Sequence, residues 1–79
     1  MNVILADDQA MIRESLKIVL ECEPDIHVCA TAQDGAQALS LIGQMPVDVA
    51  VLDIRMPRID GVLCTREIKK RFPHVKVII

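Results

Sequence analysis

Three carboxylates stand where a small protein could do chemistry with them. Asp7 and Asp8 directly follow the short apolar run Asn2-Val-Ile-Leu-Ala6, and Asp53 directly follows a second run, Val49-Ala-Val-Leu52. A charge at the end of a buried strand is costly to desolvate, so it needs a partner, a metal or a reaction. In an open parallel sheet, ligands bind beyond the carboxyl ends of the strands. If the two acidic ends met, the like charges would repel by around 4 kcal/mol per pair at about 4 Å and an effective dielectric near 20. That is large against the roughly 5–15 kcal/mol that holds a domain together. Such a cluster calls for a cation, and Mg²⁺ suits it, because Mg²⁺ takes one or two carboxylates, several waters and phosphate oxygens. A remaining Asp53 oxygen is then a nucleophile toward phosphorus, with the metal spreading the charge of the transferring group. For either site alone, an exposed acid capping a helix or ending a strand is the better explanation. Brought together in one crevice, the acids favour the chemical reading.

The elements around them decide whether they meet. Asn2–Ala6 reads as a first strand. Helical spacing follows at Ile12, Leu16, Val19 and Leu20, a core stripe with Met11 and Ile18 beside it, and Pro24 stops that helix. Ile26 to Ala32 alternates as an edge strand, with Ile26, Val28 and Ala30 on one face and His27, Cys29 and Thr31 on the other. Asp34 is placed to cap a second helix with the stripe Ala38, Leu39 and Ile42, while Gly35 and Gly43 read as cap and turn residues. Val47 to Leu52 is a central buried strand, Asp60-Gly61 opens a third helix with Cys64, Ile68 and Phe72 inward, and Val75 to Ile79 begins a fourth strand. Lys69, Lys70 and Arg71 read as a solvated helix end that complements the helix dipole. Strand and helix alternate throughout, which predicts right-handed crossovers and an α/β fold with a parallel sheet covered on both faces. In the flavodoxin-like order 2-1-3-4-5, strands 1 and 3 are neighbours at the switch point, which would bring Asp7, Asp8 and Asp53 into one crevice.

Composition narrows the function classes. The 79 residues allow one small domain, and 52% hydrophobic with 25% charged content argues for a globular chain. Phe72 is the single aromatic residue, which weakens any flavin or single-stranded nucleic-acid reading. A net charge of -2 without a basic face argues against DNA binding by this chain. No run approaches a membrane span or a signal peptide, so a cytoplasmic location is expected. Cys22, Cys29 and Cys64 form no ligand set with His27 or His74 and read as buried reduced thiols. The chain stops inside an apolar strand, which predicts a fragment whose exposed edge invites homodimerisation or segment swapping.

The motifs also carry a resemblance. Asp7-Asp8 after the first strand, and Asp53-Ile-Arg-Met-Pro-Arg-Ile-Asp-Gly61 after the third, resemble the receiver domain of bacterial two-component response regulators. Asp7-Asp8-Gln9 and the Asp53 to Arg58 loop look most like the NarL/FixJ type, whose members carry a DNA-binding output domain. The resemblance spans the whole chain and implies the strand order 2-1-3-4 for residues 1–79 as a partial receiver domain, βαβαβαβ. It implies that Asp53 accepts a phosphoryl group from a sensor histidine kinase. Asp8 and Asp53 would ligate Mg²⁺ or Mn²⁺ by their side chains and Arg55 by its backbone carbonyl, with Asp7 behind them holding a metal-bound water. Met56 and Pro57 would shape the loop, and Gly61 would permit its tight entry into the third helix. DNA would be bound only through a separate domain.

The family pattern also requires a Ser or Thr after the fourth strand, and a Lys after the fifth. Neither lies within residues 1–79, nor do a fifth strand and two further helices, so this piece is expected to hold metal weakly and not to act as a complete switch or an enzyme. One rival is an interaction module that signals without phosphate, which the presence of all three acids disfavours. Another is an aspartyl-nucleophile phosphatase, which would place a second acid two residues after the nucleophile, where this chain has Arg55. A flavodoxin-like cofactor carrier lacks both a phosphate loop and aromatic partners.

Overall fold

The computed structural model describes residues 1–79. Strands β1 (Asn2–Ala6), β2 (His27–Ala32), β3 (Val49–Leu52) and β4 (Lys76–Ile78) alternate with helices α1 (Ala10–Leu20), α2 (Gly35–Gln44) and α3 (Gly61–Arg71). All strand pairs are parallel, in the order β2-β1-β3-β4. This is the flavodoxin-like arrangement expected, with helices on both faces.

The helix starts follow local chemistry. The Asp34 carboxylate accepts from the Gln37 N–H at 2.7 Å and caps α2, and Asp60 accepts from the Leu63 N–H at 2.9 Å and caps α3. Gln9 precedes α1 without a side-chain cap. The Asp7 carboxylate accepts from the Gln9 N–H at 2.9 Å, just ahead of the helix, and the Asp8 carboxylate makes no capping bond.

The two faces of the sheet differ. On one, α2 and α3 close over β1 and β3, and Ile4, Ala6, Ala50, Leu52, Ala38, Leu39, Ile42, Cys64 and Ile68 belong to a core cluster of 13 buried residues. On the other, Val3, Leu5, Val28 and Val49 form a cluster of 4, with Leu20, Ile26 and Val51 packed against it.

Three expectations need correction. Most of the α1 stripe is not core: Ile12 is 39%, Leu16 38% and Val19 64% exposed, whereas Leu20 is half-buried against the smaller cluster, and α1 has no buried residue. Helical periodicity says which side of a helix is apolar, and only a second surface decides whether that side is covered. The β2 alternation also breaks. The pairing with β1 shifts register between Val3 and Ile4, which face Val28 and Ala30 and leave Cys29 as an extra residue. Val28 thus packs with the smaller cluster, while Ala30 and Ala32 pack with the larger one. Finally, only Cys64 of the three thiols is buried; Cys29 is half-buried and Cys22 exposed, and all three are free. No helix is long and apolar enough to cross a membrane.

Candidate functional site

Register brings the acids together. Ala6 of β1 is the partner of Leu52 of β3, so Asp7 and Asp53 leave the carboxyl ends of adjacent parallel strands side by side. The backbone continues the pairing past the strands, with the Asp53 N–H donating to the Ala6 carbonyl at 2.9 Å and the Asp7 N–H to the Ala32 carbonyl at 3.0 Å. Asp8 follows on the loop, and oxygens of Asp7, Asp8 and Asp53 all lie within 4.8 Å of one another. Asp7 is 9% exposed, Asp53 half-buried and Asp8 exposed.

Carboxylates this close repel by roughly 3–4 kcal/mol per pair at an effective dielectric near 20, and by less where Asp8 meets solvent. None of the three takes part in an ion pair; those of the structure are His27–Glu21 at 3.6 Å and Arg58–Asp34 at 3.3 Å. The Arg13 guanidinium donates instead to the Asp7 backbone carbonyl at 2.7 Å. The donor set is all oxygen and negatively charged, which fits a hard divalent cation.

The loop after β3 is held at several points. The Arg55 N–H donates to Asp53 Oδ1 at 3.3 Å, which folds the loop back over the carboxylate. Met56 is 7% exposed and belongs to the larger core, so it anchors the loop, whereas Pro57 is exposed on its rim. Gly61 is required by contact, not by an unusual φ: a Cβ there would lie 2.6 Å from the Asp53 carbonyl oxygen and 2.8 Å from Ile54 Cα.

Two parts of this support escaped the sequence reading. Gly35 is more than a cap residue, because a Cβ on it would collide with the Ile59 carbonyl oxygen. Arg58 adopts φ 71°, a left-handed conformation unusual without glycine, and its guanidinium reaches the 8%-exposed Asp34. Asp34 thus serves both as helix cap and as tether for the acidic loop. Its spacing signalled only the cap; the 24-residue separation from Arg58 left no local trace.

The likeness to known proteins agrees with this geometry. Residues 3–79 match the model of the response regulator receiver domain. The chain is 37% identical over 78 residues to the transcriptional regulatory protein DegU of Brevibacillus brevis, covering 99% of itself and 33% of that protein. It is 44% identical over 73 residues to protein-glutamate methylesterase/protein-glutamine glutaminase 2 of Nitratidesulfovibrio vulgaris, covering 92% of itself and 20% of that enzyme. Among solved structures, the signal receiver domain of the NarL regulator of Mycobacterium tuberculosis superposes with a TM-score of 0.90 at 34% identity, over 96% of this chain and 61% of the other. The chain therefore spans a fifth to a third of these curated relatives. The match from Val3 to Ile79, the strand order and the three-acid crevice establish that the chain belongs to the response regulator receiver domain family.

Proposed function

We propose that the chain is the phosphoacceptor module of a longer response regulator, and that Asp53 accepts a phosphoryl group from a sensor histidine kinase. The observation that carries the reading is the meeting of Asp7, Asp8 and Asp53 with no protein cation among their carboxylates. Asp8 and Asp53 would hold Mg²⁺ or Mn²⁺ by their side chains and Arg55 by its carbonyl, with Asp7 behind them. Bound there, the ion would supply positive charge against the oxygens of the transferring phosphoryl group. The Arg55 N–H engages Oδ1 of Asp53 and leaves Oδ2 to attack phosphorus. As that O–P bond forms, the P–N bond to the kinase's phosphohistidine breaks, and the imidazole nitrogen keeps the electron pair. Met56, Pro57 and Gly61 keep the loop in reach of the crevice.

The proposed output of the whole protein is transcription, which the likeness to DegU and NarL supports. The likeness to methylesterases supports an enzymatic output through another domain, with the same receiver chemistry. Three free thiols suit a cytoplasmic, reducing compartment. The test uses the full-length protein incubated with acetyl phosphate and Mg²⁺ and weighed intact by mass spectrometry. One phosphoryl group is expected on the wild type and none on Asp53→Asn. Undiminished uptake by Asp53→Asn would overturn the assignment, and steady turnover of a phosphomonoester would point to the phosphatase instead.

A further inference from the structure

Arg13 occupies a place that a helix does not favour. It stands at the end of the first turn of α1, where the macrodipole is positive and the turn itself holds no acidic residue. Its guanidinium turns back over the β1–α1 junction, and Nη1 donates to the Asp7 carbonyl, six residues earlier, at 2.7 Å in a partly buried setting. The same side chain lines, with Asp7, Leu16, Val51 and Asp53, a small cleft between α1 and the sheet. It pairs with none of the three carboxylates, so they stay available to a cation.

The bond reaches Asp8 through covalent geometry. A peptide unit is planar, so holding the Asp7 carbonyl also sets the direction in which the chain enters Asp8. Asp7 is fixed on its other side by its N–H to Ala32 and by Oδ1, which accepts from the Gln9 N–H at 2.9 Å. Asp8 is exposed, and no hydrogen bond within the protein holds its carboxylate. Its placement within 4.8 Å of Asp7 and Asp53 therefore depends on the peptide that Arg13 clamps.

We propose that Arg13 is a positioning residue that sets where Asp8 presents its oxygen to a divalent cation, acting through the Asp7–Asp8 peptide plane. The inference rests on the metal-binding reading above. It makes a prediction of definite sign. Deleting a cation beside an acidic site tightens divalent binding if only charge matters, whereas losing a positioning partner weakens it by about 10–100-fold.

The experiment measures Mn²⁺ binding to the full-length protein by electron paramagnetic resonance at fixed ionic strength, with thermal unfolding recorded in metal-free buffer. Arg13→Gln is expected to bind Mn²⁺ about 10–100-fold more weakly than the wild type. Arg13→Lys, which keeps the charge but has no planar fork, is expected to fall between the two. Tighter or unchanged binding by Arg13→Gln would overturn the proposal, including the case in which only its unfolding temperature falls. If Arg13→Gln does not fold, Arg13→Lys decides: a several-fold weaker Kd supports the clamp, and an unchanged Kd overturns it. A wild type that binds no Mn²⁺, or binds it as well as Asp53→Asn does, would sink the metal reading itself and the Arg13 proposal with it.

Discussion

The two faces of the sheet are built from similar strands and end up very differently covered. Helix α3 carries five charged residues, Arg66, Glu67, Lys69, Lys70 and Arg71, against three in α1, Arg13, Glu14 and Lys17. Yet α3 buries Cys64 and Ile68 completely, while Met11, Ile18 and Val19 of the more apolar α1 stay 79%, 69% and 64% exposed. Burial follows from what a helix meets, not from its composition. Helices α2 and α3 pack on each other, with α2 over β1 and β2 and with Cys64 and Ile68 of α3 in the same core as Ala50 and Leu52 of β3; α1 packs on β1 and β2 from the other face.

The same asymmetry reaches the acidic site. The loop bearing Asp53 is secured to the well-packed side by Met56, by Asp34–Arg58 and by the close approaches at Gly35 and Gly61. The loop bearing Asp8 is secured to the open side by the Arg13 bond.

The contrast can be broken most directly in the core. Ile68→Ala should lower stability by about 2–5 kcal/mol in urea unfolding, because the closed face cannot collapse onto the void. Gly61→Ala should cost about 1–3 kcal/mol by overpacking against Asp53 and Ile54, and should weaken Mn²⁺ binding as the loop shifts.

A pH series sharpens the comparison further. Burial pushes the Cys64 thiol up from 9.0 to about 11, so the folded chain keeps a proton that the unfolded chain releases. This contribution is intact below pH 9.0 and is lost as pH rises through about 11. Wild type minus Cys64→Ala should show a stability difference falling on the order of 1 kcal/mol by about pH 10. A difference independent of pH would mean that solvent reaches the closed face.

Smaller effects should separate the two roles of Asp34. Asp34→Ala should cost about 1 kcal/mol, whereas Asp34→Asn should cost less, since asparagine still caps the helix and loses only an ion pair whose arginine side is largely exposed. Smallest of all, Ile18→Ala on the open face should change stability by less than about 0.5 kcal/mol. A loss there equal to that of Ile68→Ala would show that α1 is covered in solution.

Much of this was legible residue by residue. The apolar runs Asn2–Ala6 and Val49–Leu52 are too short for helices and end in acid, which located β1, β3 and the three candidate acids together. Asp34 and Asp60 announced α2 and α3 by capping chemistry, and the stripes Ala38-Leu39-Ile42 and Cys64-Ile68 named the core sides. These are local effects, set within a few residues by hydrogen-bonding and side-chain period. What tertiary structure alone decided depends on partners distant in sequence. The Val3/Ile4 register shift turned β2 over at Cys29, and α1 keeps most of its apolar stripe exposed within residues 1–79. Arg58 became a tether because Asp34, 24 residues away, is buried beside it. The acids themselves show the division: their types and positions were written in the chain, but a cluster within 4.8 Å exists only because β1 and β3 pair in the register Ala6 to Leu52.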